Sequence, residues 1–157
     1  MKPVITQDLA KMSDADIEAL VHDLRSQNED LKKFQGECRK LLCAVESSSS
    51  VVVITDLEGN IEYVNPKFSQ VTGYSREEII GKTPSILKSG ETADQDYAEL
   101  WETIASGGEW RGEFHNRRKD GSFYWARNSV SGVKDDAGEL THYICVEDDI
   151  TNEYQLN

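Results

Sequence analysis

Two tight-turn signatures in the last third of the chain restrict the fold more than any other feature. Lys119-Asp120-Gly121 and Asp135-Asp136-Ala137-Gly138 place aspartate where a turn opens and glycine where it needs a positive φ. They separate three runs with β-type alternation, spanning residues 110–118, 122–133 and 139–150, which read as an antiparallel meander. Upstream, Val51-Val52-Val53-Ile54-Thr55 and Ile61-Glu62-Tyr63-Val64 flank the turn Asp56-Leu57-Glu58-Gly59-Asn60 and read as a hairpin. Asn65-Pro66 then stops the sheet, and residues 66–72, 75–80, 85–88 and 93–106 read as short helical pieces punctuated by Gly73, Gly81, Gly90 and Gly107. Two strands, several helices and three antiparallel strands predict an α+β fold: a five-stranded antiparallel sheet with helices on one face.

A long helix precedes this unit. Ser13 with Asp16 three residues on reads as an N-cap with its capping-box acid. From Ile17 a heptad places Ile17, Leu24, Leu31, Cys38 and Val45 at a and Leu20, Gln27, Phe34 and Leu41 at d, with one polar exception in nine. The g positions Asp16, Asp23, Asp30 and Glu37 are acidic and the e positions Val21, Asn28, Gln35 and Leu42 neutral, so parallel pairing avoids setting acid against acid. The predicted organisation is a flexible segment over 1–12, a coiled-coil dimerisation helix over 13–46, an α+β domain over 47–151 and a tail over 152–157. An amphipathic helix folded onto its own domain is the alternative for 13–46.

Seventeen basic against 29 acidic residues give a net charge of -12, which repels phosphate backbones and anionic lipid surfaces, so nucleic acid is not an expected partner. Three cysteines, Cys38, Cys43 and Cys145, lack metal-ligand spacing and fit a reducing, cytoplasmic setting. No apolar run is long enough for membrane insertion. There is no Gly-rich phosphate loop, metal-type Cys/His cluster or GxSxG elbow, so no enzymatic role is expected.

The segment from Asn65-Pro66-Lys67-Phe68 through Val71-Thr72-Gly73-Tyr74 to Ile79-Ile80-Gly81-Lys82 resembles the helical signature of the PAS family of sensory domains. Asn116-Arg117-Arg118-Lys119-Asp120-Gly121-Ser122 looks like the family's hairpin, and Asp149-Ile150-Thr151 like the D-I-T element that ends many PAS domains. The resemblance spans about residues 44–152. Within the family, residues 97–101, Trp110-Arg111-Gly112 and Asn116-Arg117-Arg118 look most like the flavin (FAD)-binding PAS domains of redox and aerotaxis sensors. The resemblance implies a signal-sensing input domain that binds flavin and relays redox or ligand state through a dimer to an output domain or partner. A ligand-free dimerisation or relay module, its pocket filled by Tyr124, Phe114 and Trp101, is the alternative.

Alternation on the strand from Trp110 turns Trp110, Gly112, Phe114 and Asn116 to one face. A buried amide needs partners; Asn116 either serves backbone or, as the resemblance implies, meets the flavin ring. Aligned by the same resemblance, the next strand is expected to turn Tyr124, Ala126, Asn128 and Val130 inward, and the last to turn Tyr143, Cys145 and Glu147 toward the pocket. Glu147 stands at the position of the glutamine that reports flavin state in light-oxygen-voltage (LOV) domains; the alternatives are a strand-end acid in solvent or paired with Arg127 or Lys134. Ala126 stands where LOV domains have an asparagine, and Pro84 where they carry the reactive cysteine, which removes thiol-adduct chemistry at that position. Trp101 matches a flavin-lining tryptophan, yet with Tyr97 and Ile104 it also fits plain core. The candidate cofactor-binding set is therefore Asn116, Trp101, Asn128, Glu147, Trp110, Tyr124 and Phe114. Haem-binding relatives ligate iron through a histidine on the helix over 93–106; this helix has none, and His22, His115 and His142 read as surface residues.

Overall fold

The computed structural model describes residues 10–156. Contacts divide the chain into two compact units between Cys43 and Ala44. The first holds most of helix α1, Asp14–Glu46. Ser13 caps it: Ser13 Oγ accepts from the Asp16 amide at 3.2 Å while the Asp16 carboxylate accepts from the Ser13 amide at 3.4 Å. No residue of α1 is buried, and Leu24, Leu31, Phe34 and Leu41, all on the predicted seam, are each more than half exposed. Residues 1–9 of the segment read as flexible lie outside the described residues.

The second unit is a five-stranded antiparallel sheet with helices. Strands β1 (Val51–Thr55) and β2 (Ile61–Val64) form the first hairpin. Helices α2 (Pro66–Thr72) and α3 (Arg76–Ile79), a 3-10 turn (Pro84–Leu87) and α4 (Asp94–Ala105) follow, then β3 (Trp110–Arg117), β4 (Phe123–Lys134) and β5 (Leu140–Asp149). The strand order is β2-β1-β5-β4-β3, so the last strand pairs with the first and sits at the centre.

Local chemistry explains the helical layer. Asn65 caps α2 through its side chain, Pro66 occupies the first turn where no donor is lost, and Gly73 ends the helix at φ 81°. Ser75 and Glu78 close a reciprocal capping box on α3, a helix too short to persist without it.

Side chains pointing to the inner face build two apolar clusters. One gathers Val51, Val53, Ile61, Val64, Phe68, Val71, Ile79, Leu87, Tyr124 and Ala126. The other gathers Leu100, Ile104, Trp110, Phe114, Val130 and Tyr143, and Cys145 packs against both. Each fully buried Phe68- or Ile61-sized side chain contributes about 1.5–3 kcal/mol by leaving water.

Residues 152–155 of the segment read as a tail belong to helix α5, Thr151–Gln155. Thr151 Oγ1 accepts from the Trp125 amide at 3.0 Å, and the Tyr154 ring stacks on Trp125 at 4.5 Å. Five polar-rich residues carry no helical periodicity of their own; docking on the outer face of the sheet supplies the order. Trp125 is thereby covered, while Phe123 and Val146 remain exposed.

Candidate functional site

Between the two clusters lies a cavity of about 270 Å³, near the lower end of ligand pockets at roughly 300–1,000 Å³. Its floor is the inner face of the sheet. Val51, Glu147, Asn128 and Gly112 stand in one row across β1, β5, β4 and β3, and Val53, Cys145, Val130 and Trp110 in the next. The roof comes from Leu87, Lys88, Tyr97, Leu100 and Ile104. At one end the lining residues Glu58, Thr83, Pro84, Ser85 and Trp101 are exposed, which marks the mouth.

The walls are mostly apolar with a few convergent polar groups. Asn116 is 5% exposed and its amide makes one long hydrogen bond, from Nδ2 to the Tyr124 hydroxyl at 3.5 Å. That leaves most of its donor and acceptor capacity facing the cavity. Asn128 is more occupied: Nδ2 donates to the Ala126 carbonyl at 3.2 Å, and Oδ1 accepts from Cys145 Sγ at 3.4 Å. Glu147 Oε1 accepts from the Tyr124 hydroxyl at 3.0 Å.

Glu147 is 6% exposed and meets no cation. Burial pushes its carboxyl up to about 7, against the pull of the Tyr124 hydrogen bond and with further push from Asp149 and Asp148. Arg127, one partner considered for it, pairs instead with Glu153 at 2.9 Å and Glu113 at 3.4 Å on the opposite face. Burial, and then the nearby Glu147, push the Cys145 thiol up, so it stays protonated and unreactive.

The structure brings Asn116, Asn128, Glu147, Phe114 and Trp101 to the cavity wall. Trp110 and Tyr124, in the same candidate set, do not line it. Trp110 folds over Gly112, where a Cβ would sit 2.4 Å from the ring, and stacks at 4.9 Å on Phe114 from behind. Tyr124 is 1% exposed and reaches the site only through its hydroxyl, its ring held under the Arg118 guanidinium. Strand alternation gives the face a side chain points to but not how deep it lies. With Trp101 nearly half exposed at the mouth and Tyr124 behind the wall, the pocket is not filled by the side chains considered for that role.

Among the lining residues absent from the sequence-derived set, Tyr97, Lys88 and Gly59 shape the site most. Tyr97 stacks on Phe114 at 4.7 Å and carries the Lys88 ammonium 4.0 Å from its ring centroid. Its hydroxyl is buried without a well-oriented hydrogen-bond partner, although Thr92 lies near. The i,i+4 spacing of Tyr97 and Trp101 was the available signal. Lys88 is the one Lys or Arg among the lining residues. Gly59, at φ 90°, lies against the Trp101 ring, 3.1 Å from where a Cβ would be.

A central first–last strand pairing, short capped helices over one sheet face and a ligand-sized cavity between them define a sensory domain of PAS type. The PAS domain family matches residues 48–152, and the chain belongs to that family. It is 37% identical over 112 residues to the nitrogen fixation regulatory protein of Klebsiella oxytoca, which covers 71% of this chain and 23% of that protein. It is 31% identical over 106 residues to the aerotaxis receptor of Escherichia coli strain K12, covering 67% of this chain and 21% of the receptor. The chain thus spans less than a quarter of the length of these curated relatives. Among solved structures, an RNA-binding light-oxygen-voltage receptor superposes with a TM-score of 0.69 at 27% identity, over 73% of this chain and 33% of that one. The LOV domain of the blue-light photoreceptor Aureochrome1 gives 0.64 at 27% identity, over 73% and 85%. No helix among the described residues is long and apolar enough to cross a membrane.

Proposed function

We propose that this PAS domain binds a flavin in the cavity and relays its redox or ligand state, through a cytoplasmic homodimer, to an output domain or partner protein. The observation that carries this reading is Asn116, a buried amide turned to a cavity with most of its hydrogen-bonding capacity unspent. A flavin ring edge, an N–H between two carbonyls, complements one amide's donor and acceptor. Phe114, Tyr97, Trp101 and Tyr143 supply apolar and aromatic walls for a flat ring system. When bound, flavin would supply electron-transfer chemistry; Asn116 and Asn128 would orient it, and the aromatic walls would exclude water.

We infer FAD over FMN from the mouth. A terminal phosphate is best met by paired or bidentate cations, whereas the mouth carries acidic Glu58 and the one Lys or Arg lining the cavity is Lys88 of the roof. An FAD tail carries its charge past the mouth into solvent. Pro84 at the mouth leaves no thiol at the position where LOV adducts form.

The relay route follows the sheet. Glu147 pairs with Val51 across β5 and β1, and Ser50 Oγ donates to Asp148 Oδ1 at 2.5 Å, a few residues after α1 ends at Glu46. Parallel pairing of α1 through its exposed seam would then carry a change in β5 to the dimer.

Purified protein is expected to be yellow, with visible absorption that bleaches on reduction and a released cofactor that chromatographs as FAD. Colourless protein that takes up neither FAD nor FMN on reconstitution would overturn the flavin reading and favour a ligand-free relay.

A further inference from the structure

Glu147 is the one acidic side chain on the cavity floor, and it is held there without a cation. On β5 its neighbours are Cys145, Asp148 and Asp149; from β4 it receives the Tyr124 hydroxyl, whose ring lies under Arg118. From β1 it faces Val51, which carries no charge, and across the cavity the ionisable groups are Glu58, Lys88 and Tyr97. Lys88 is directed onto the Tyr97 ring. Oε1 has the Tyr124 hydrogen bond, and Oε2 accepts none.

The ionised carboxylate therefore depends on water in the cavity for the rest of its solvation. Any flat, mostly apolar occupant displaces that water. The neutral acid loses little by this and the carboxylate loses much, so occupant and proton favour each other.

We propose that Glu147 couples occupancy of the cavity to the uptake of one proton, so that the domain binds its ligand more tightly as the surroundings acidify. This rests on the flavin reading for the identity of the ligand, but the coupling belongs to the carboxyl and its setting. With the empty-site carboxyl at about 7, affinity falls as pH rises through that value.

Titration of the ligand-free protein with oxidised FAD between pH 6 and 9, followed by flavin fluorescence, tests it. The dissociation constant is expected to rise about tenfold per pH unit above 7 until the occupied form itself ionises. Calorimetry at pH 7 in two buffers of different ionisation enthalpy is expected to show about half a proton taken up per FAD bound. Glu147→Gln is expected to bind FAD with flat pH dependence and no uptake. Tyr124→Phe, which removes the hydrogen bond favouring the carboxylate, moves the break to higher pH and covers the case of a poorly folding glutamine variant. FAD binding with a flat profile and no proton uptake in the unaltered protein overturns the coupling and leaves the flavin reading standing. Failure of both FAD and FMN to bind at any pH overturns both.

Discussion

Asn65 donates its side-chain amide to the main-chain carbonyl of Val45 at 3.0 Å, fastening the last turn of α1 to the sheet. The same amide donates to the Ser50 carbonyl at 2.9 Å, and its oxygen accepts from the Val52 amide at 3.0 Å and the Phe68 amide at 3.3 Å. One residue, 1% exposed, thus caps α2, orders the strand entry and holds the helix end. Asn65→Ala strands these groups and is expected to cost about 3 kcal/mol, a lost cap plus buried unsatisfied polar groups. Asn65→Asp keeps the acceptor, loses both donations and buries a charge, so it is expected to be no better. Urea unfolding followed by tryptophan fluorescence measures both; a loss below about 1 kcal/mol would show that water replaces the amide.

The raised carboxyl of Glu147 makes stability pH-dependent in the ligand-free protein. In the unfolded chain the group ionises near 4.5, in the fold near 7, so the unfolded state holds fewer protons between those values. The sign follows: no penalty below about 4.5, a penalty growing as pH rises to 7, and a constant one above it, of about 3 kcal/mol. Glu147→Gln is expected to stabilise the protein by up to that amount at pH 8 and by little at pH 4. Equal effects at the two pH values would mean that the carboxyl is not desolvated in the fold.

The exposed seam of α1 predicts a parallel dimer. In that register Cys38 lies at an a position, close to its counterpart in the second chain. Mild oxidation is expected to give a disulfide-linked dimer that Cys38→Ser abolishes. Leu31→Lys, placing a charge in the seam, is expected to give a monomer by light scattering while the PAS unit stays folded.

The sequence was most legible where chemistry is local. Strand alternation put Asn116, Asn128 and Glu147 on the inner face, where they lie, because a pleated strand allows only two directions. The turns at Gly121 and Gly138 and the Ser13 cap were read for the same reason, since each follows from short-range hydrogen bonds. Depth was not legible. Trp110 and Tyr124 share the inner face with Asn116 but sit behind the wall, because that depends on Gly112 admitting an indole ring and on Tyr124 being short enough to end at Glu147. Lys88 and Gly59 reach the cavity from loops without periodicity, and α5 is ordered by Trp125, a residue 29 positions from Tyr154.

Asn116 provides the sharpest test of the binding site, because its amide has little structural employment to confuse the result. Its one side-chain hydrogen bond is the 3.5 Å contact to Tyr124, so Asn116→Ala is expected to leave the fold largely intact. If the amide meets the flavin ring edge, the same change weakens FAD by a hydrogen bond's worth, about 1–3 kcal/mol, or roughly five- to 150-fold in dissociation constant. Asn116→Asp tests polarity: it keeps an acceptor, loses the donor and sets a second acid near Glu147, so it is expected to bind more weakly than alanine above neutral pH. Glu113→Gln is the control. That side chain lies on the opposite face of β3, accepting from Tyr154 at 2.5 Å and Arg127 at 3.4 Å, and its loss is expected to leave FAD affinity unchanged. Equal affinities for the unaltered protein and Asn116→Ala, both folded, would remove Asn116 from the site and move the ring edge toward Asn128.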